Sequence, residues 1–233
     1  MRQIHGYYKK FVTILITLLI FLISGNTPGS SMVSSYPTIL RNGYSGKPWL
    51  AITFDDGPHH WETRQLLDLL NELNVRATFF LVGKEVLRYP DIIERMTKEG
   101  HSIGNHGFRH WNLPRLSREQ IFLEWISCSE CISNITGQPV RFCRPPGGNY
   151  SADVLLSAKE AGLQTILWSV NSYDSGEADP EKIMSNVINR MRPGSIILFH
   201  DGFEATMKAL PVIVSKAREK GMFFVTIDQM LFY

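Results

Sequence analysis

The sequence predicts an α/β fold, a distorted (β/α)7-type barrel, on three observations. Short, β-rich apolar runs alternate with amphipathic stretches of helical period. No G-x-G-x-x-G opens the first of those stretches, which removes support from a dinucleotide-binding open sheet. The chemically unusual polar residues follow the C-terminal ends of the apolar runs; in a barrel those ends converge on one face, whereas an open sheet would spread them along a line.

The chain has 233 residues, 44% of them hydrophobic, which is enough for one well-buried domain and too little for two full-sized ones. Residues 1–30 read as an export segment. Arg2, Lys9 and Lys10 precede an uninterrupted apolar run from Phe11 to Ile23, and a small, polar stretch follows from Ser24 to Ser31. The run is shorter than the roughly 20 residues that span a bilayer comfortably. It is expected to be a cleaved signal peptide or, if retained, a membrane anchor, and no other membrane contact is expected. The product is then secreted or held at the cell surface, and a monomer is expected. Residues 31–47 lack periodicity and carry Pro, Gly and Ser, so they read as a linker, and one domain fills 48–233.

Seven strands are predicted in that domain: Trp49–Phe54, Ala77–Val82, His101–Gly104, Arg141–Cys143, Gln164–Ser169, Ser195–His200 and Met222–Ile227. Between them lie amphipathic stretches such as TRQLLDLLNEL, DIIERMTKEG and SADVLLSAKEAG, several ending in Gly as helix C-termini do, at Gly100, Gly162 and Gly221. Cys128 and Cys131 form a C-x-x-C inside one such stretch; i, i+3 spacing puts both on one helix face, and buried thiols are expected there. With Cys143 they are too few for a disulfide scaffold. Lys+Arg 24 against Asp+Glu 22 gives a formal charge of +2, and nothing argues for nucleic-acid binding.

Four motifs carry chemistry. In T-F-D-D-G-P, Thr53 to Pro58, two adjacent carboxylates leave an apolar strand, an arrangement that repels itself unless a cation or Arg relieves it. On its own it would read as an acidic turn capping a helix. In H-G-F-R-H, His106 and His110 at i, i+4 would face one way on a helical turn and could bind one metal through imidazole nitrogen. Two histidines with one carboxylate make an open catalytic metal set with room for water. Zn²⁺ is the first expectation, and Co²⁺ or Ni²⁺ accept the same donors. In R-P-P-G, the Arg144 fork could hold an Asp bidentately, and the glycine lets backbone N–H groups approach a ligand. In L-F-H-D, His200 ends an apolar strand and is a candidate general acid. His101 opens its strand at the opposite end and is expected to be structural.

Together these motifs, from about Trp49 to the C-terminus, resemble the polysaccharide deacetylase family, the NodB-homology or carbohydrate esterase 4 group. The resemblance implies a TIM-like NodB homology barrel in which Asp55 is the catalytic base and Asp56, His106 and His110 are the metal ligands. It further implies that Arg144 orients Asp55, that the Pro146–Gly147 backbone helps form an oxyanion hole, that Leu198 lines the acetyl pocket and that His200 is the general acid. The implied reaction is removal of N-acetyl groups from an N-acetylglucosamine polysaccharide, peptidoglycan or chitin-like. An O-acetyl esterase and a weakly active carbohydrate-binding relative are the alternatives.

The chain departs from the family pattern at three places. Gly107 stands where relatives usually carry Ser or Thr, so a loop-stabilising hydroxyl is missing. N-S-Y-D-S, Asn171 to Ser175, replaces D-x-x-D-W. Asn171 can accept a hydrogen bond from an imidazole N–H without Coulomb stabilisation, so His200 is expected to be a stronger acid than in Asp-bearing relatives. Gly147 and Gly148 stand where a Tyr often appears.

Overall fold

The computed structural model describes residues 37–43, 46–177 and 179–232. The export segment predicted for residues 1–30 lies outside the described residues, as does much of the linker. Among the described residues no helix is long and apolar enough to cross a membrane.

The strands form in chain order as β1 Ile39–Leu40, β2 Trp49–Asp55, β3 Thr78–Leu81, β4 Ser102–Asn105, β5 Phe142–Cys143, β6 Gln164–Ile166, β7 Val170–Asn171, β8 Ile196–His200 and β9 Phe223–Phe224. The helices are α1 Glu62–Glu72, α2 Gly83–Arg88, α3 Pro90–Lys98, α4 Arg118–Thr136, α5 Ala152–Glu160, α6 Pro180–Ile188, α7 Glu204–Glu219 and α8 Ile227–Phe232. Every ladder between these strands is parallel, in the order β1-β6-β5-β4-β3-β2-β8-β7, with β9 beside the start of β2. The (β/α)7-type architecture is therefore present as a curled, incompletely regular barrel of short strands.

Two departures from the predicted elements make the barrel. The single strand expected over 164–169 is two, because β6 pairs with β5 while β7 pairs with β8. The chain from Gln164 to Asn171 thus runs from β6, next to the edge strand β1, to β7 at the opposite edge of the sheet. Ile39–Leu40, inside the stretch read as a linker, pair with Thr165–Ile166, and Asn42 bridges to Ser195 at the start of β8. A segment too short to show strand periodicity thereby covers the same seam.

Alternation along the strands sorts the core into an inner and an outer layer. Leu50, Ile52 and Phe54 of β2 face the helices with Phe79, Ile197 and Phe199, and the Phe54 ring stacks on Phe79 at 5.3 Å and Phe199 at 5.8 Å. Ala51 faces the barrel interior with Phe80, Phe142, Ile166 and Ile196, while Ile227 and Met230 of α8 pack into its lower end. Fully burying each such side chain contributes roughly 1.5–3 kcal/mol. The inner face of β2 continues through Thr53 to Asp55 and that of β8 through Leu198 to His200, so the period of two delivers these polar groups to the top of the barrel.

Helix starts follow local capping chemistry. Ser117 and Gln120 make a reciprocal capping box on α4, Ser151 caps α5 and Asp179 caps α6. Gly100, Gly162 and Gly221, beyond the ends of three helices, all have positive φ, at 80°, 74° and 72°. Cys128 and Cys143 are buried free thiols and Cys131 is half-buried; burial raises all three thiol pKa values, that of Cys143 to about 12.

Candidate active site

Asp55 ends β2 directly opposite His200, the last residue of β8, in a parallel register that runs Ala51↔Ile196 to Asp55↔His200. The carboxyl oxygen Oδ1 of Asp55 accepts a 2.7 Å bond from Arg144 Nη1. The expected bidentate fork does not form. The same Nη1 also reaches Thr53 Oγ1 at 2.8 Å, and Nε and Nη2 donate to the carbonyls of Ile166 and Leu167. Arg144 is fully buried under the barrel mouth, with its guanidinium 4.1 Å from the Phe80 ring centroid. Its remaining donors must find acceptors there, and the seam carbonyls supply them.

Asp56 turns away from Asp55 with φ of 77°, so adjacent residues present carboxylates in different directions. Its Oδ1 lies 3.3 Å from His106 Nε2 and 3.0 Å from His110 Nε2. Burial would raise the Asp56 pKa, but the two imidazoles outweigh it and hold this carboxyl well below the usual carboxylate range. His106 Nδ1 lies 2.7 Å from the Arg144 carbonyl, which can only accept, so Nδ1 carries a proton and Nε2, on the Asp56 side, is the ring nitrogen that a cation would take. The donor atoms of Asp56, His106 and His110 all lie within 4.8 Å of one another. One carboxylate and two imidazoles converging on a point fit a borderline divalent cation with open positions.

The two histidines are not on a helical turn. Gly107 at φ of 80° and His110 at φ of 61° place them on an irregular loop after β4, and their rings approach to 5.1 Å between centroids. The loop is tied down by a residue the sequence did not single out. Glu124 of α4, 1% exposed, accepts from the Arg109 backbone N–H at 2.7 Å and from its guanidinium at 2.8 Å. Asn105 adds a bond from the Gly107 N–H at 2.8 Å. These bonds hold the loop where Gly107 leaves no hydroxyl to do so.

His200 also has a partner other than the one expected. Asn171 Oδ1 accepts from the Tyr173 N–H at 2.8 Å, whereas His200 Nδ1 is 2.7 Å from Asp174 Oδ1. Asp174, 1% exposed, also takes the His200 backbone N–H and the Thr206 hydroxyl on Oδ2. Burial alone would lower the His200 pKa, but Asp174, with smaller help from Asp55 and Asp56, raises it. The expected Asn171 partner is thus replaced by Asp174: the short loop brings the second acidic position of the motif, not the first, against the ring.

Of the other predicted residues, Leu198 is buried on the inner face of β8, directly opposite Thr53 on one side and Asn171 on the other. Pro146 and Gly147 form a tight turn after Arg144, closed by the Gly148 and Asn149 N–H groups donating to Pro145 and Pro146 carbonyls. None of those turn bonds uses the Gly147 N–H. His101 sits at the far end of β4, accepting from the Ala77 N–H at 3.1 Å, and burial lowers its pKa to about 4. Asp201, 2% exposed behind His200, accepts from the Thr63 hydroxyl, which in turn accepts from the His59 N–H, and its own N–H donates to the Asp55 carbonyl at 2.9 Å. These bonds brace the loop bearing both carboxylates against the end of β8.

The chain is similar to known proteins in both sequence and fold. The family model described as polysaccharide deacetylase matches residues 42–166. A peptidoglycan-N-acetylglucosamine deacetylase of Bacillus cereus is 38% identical over 189 residues, covering 79% of this chain and 88% of the relative. A chitooligosaccharide deacetylase of Bradyrhizobium is 32% identical over 201 residues, covering 80% and 92%. The crystal structure of the Bc1960 peptidoglycan N-acetylglucosamine deacetylase superposes with a TM-score of 0.80 at 34% identity, covering 83% of this chain and 92% of that one.

Proposed function

Because the chain belongs to the polysaccharide deacetylase family, we propose that it hydrolyses N-acetyl groups on an N-acetylglucosamine-containing polysaccharide, peptidoglycan or a chitin-like glycan. The observation that carries this reading is the meeting of Asp55, Asp56, His106, His110, Arg144 and His200, drawn from four strand ends, at one mouth. The basic N-terminus and the apolar run from Phe11 to Ile23 support export to the cell surface, where such glycans lie.

Asp56, His106 and His110 would hold a divalent cation, Zn²⁺ first among the candidates, which when bound supplies Lewis acidity to a carbonyl and lowers the pKa of water. Arg144 fixes Asp55 Oδ1 and leaves Oδ2 turned toward His106, 3.8 Å from its Nε2, as the atom that takes a proton from the attacking water. His200 is oriented through Nδ1 by Asp174, so Nε2–H is the proton it gives to the departing amine nitrogen. The amine leaves poorly as an anion, and its protonation completes the exchange of water for amide, yielding acetate and a free amino group. The Gly147 N–H is the candidate donor for the developing oxyanion, and Leu198 the candidate apolar wall for the acetyl methyl.

The test is acetate release by the leaderless protein from a panel of N- and O-acetylated glycans, with and without chelator. Chelator-sensitive release from N-acetylated polymers, abolished in Asp55→Asn with metal content intact, is expected. Release from O-acetylated xylan alone would replace the proposal by an esterase, and full activity of Asp55→Asn would refute the assignment of the base.

A further inference from the structure

Phe203 leaves the top of β8 three residues after His200 and stands at the start of α7, 38% exposed. Its ring meets the His200 ring edge-on, with centroids 6.3 Å apart and planes at 81°. On its other side it walls a cavity of about 440 Å³ shared with Ser175, Glu204 and Lys208. Ser175 lines that cavity, and Lys208 and Glu204, also on its wall, are paired to each other at 2.6 Å. The size and mixed lining of the space suit a small polar ring with one apolar face.

The chemistry of the reaction says what must lie there. The nitrogen that receives the His200 proton is attached directly to a pyranose carbon, so that sugar or its neighbour in the polymer has to pass within a few ångströms of Phe203. A pyranose presents C–H groups on one face and hydroxyls around its edge, matching an aromatic face with Ser175, Glu204 and Lys208 around it. We propose that Phe203 and this cavity form a pyranose subsite, with Phe203 stacked on the C–H face and fixing the sugar relative to His200. This rests on the deacetylase reading above and deepens it by assigning a specificity-determining residue.

The test uses the N-acetylglucosamine tetramer and its deacetylated product with wild type, Phe203→Ala, Phe203→Leu and Phe203→Tyr. Calorimetry on the product should show roughly three- to tenfold weaker binding for Ala. Leu, which keeps bulk and folding but not the ring, should be similarly weak, and Tyr should restore affinity. KM for the acetylated tetramer should rise by a like factor while kcat falls by less. Product affinity within twofold of wild type in both Ala and Leu, with kcat reduced, would mean that Phe203 acts on the imidazole and not on sugar, and overturns the subsite. A wild type that neither binds the product nor releases acetate from any glycan overturns the parent reading and the subsite with it.

Discussion

Asp174 grips His200 at two points, taking the ring Nδ1–H on one carboxyl oxygen at 2.7 Å and the backbone N–H on the other at 2.8 Å. The ring is thereby oriented and its charged form favoured. A general acid works only while protonated, so activity should persist up to the raised His200 pKa and fall as pH rises through it. Asp174→Asn removes the charge that raises that pKa and should move the alkaline limb of kcat/KM to lower pH. Asn171→Asp should leave the limb in place, because Asn171 bonds the Tyr173 N–H instead. A limb that moves with Asn171 and ignores Asp174 would contradict the structure.

Glu124 contacts no reacting group yet holds the backbone and guanidinium of Arg109, one residue before His110. Glu124→Ala should free the loop and weaken Zn²⁺ binding by about 10–100-fold, the usual cost of losing an outer-shell partner. Competition against a chromophoric chelator measures this, and unchanged affinity would show that Asn105 alone holds the loop.

Metal should also appear as stability. A cation that binds only the folded state at a concentration 100 times its Kd adds about 2.7 kcal/mol. The wild-type Tm should therefore rise with Zn²⁺. Asp56→Asn and His106→Ala should lose that rise, whereas Asp55→Asn should keep it. A metal-dependent Tm in His106→Ala would place the site elsewhere.

Asp201 gives a separate pH signature. Burial raises its pKa to about 6 against the opposing Thr63 hydrogen bond. A carboxyl with a raised folded pKa contributes stability that is fully present below its unfolded pKa near 3.8 and is lost as pH climbs through about 6. Asp201→Asn keeps an acceptor for Thr63 and cannot ionise. The Tm difference between variant and wild type should shift in favour of the variant by a few degrees between pH 4 and pH 7.5. A constant difference across that range would show that Asp201 does not titrate there.

Much of the site was legible because it lies at the ends of strands whose apolar runs and period are strong signals. Asp55, Arg144 and His200 stand at the C-terminal ends of apolar runs, while the role of Leu198 came from the family resemblance alone and the metal trio from donor chemistry together with that resemblance. What was not legible is non-local or too short to carry a period. Glu124 sits on the hidden side of α4 and looks like any helical glutamate until the loop folds over it. Asp174 and Asn171 differ by three residues, and only the turn at Tyr173, with φ of 62°, decides which reaches His200. The i, i+4 spacing of His106 and His110 suggested a helix, but Gly107 permits a loop that closes the same distance by another path. β1 escaped notice because two residues, Ile39 and Leu40, show no alternation.

Arg144 joins the base to the architecture. Its guanidinium reaches Asp55 and Thr53 on β2 and the carbonyls of Ile166 and Leu167 across the barrel, on the segment that runs from β6 to β7. Orientation of the base is thus keyed to ring closure: if the two rims part, the cation loses half of its acceptors and Asp55 its anchor. A chain that has condensed without shutting the ring would be chemically silent, so turnover reports completed folding and should vanish in denaturant no later than the rims separate.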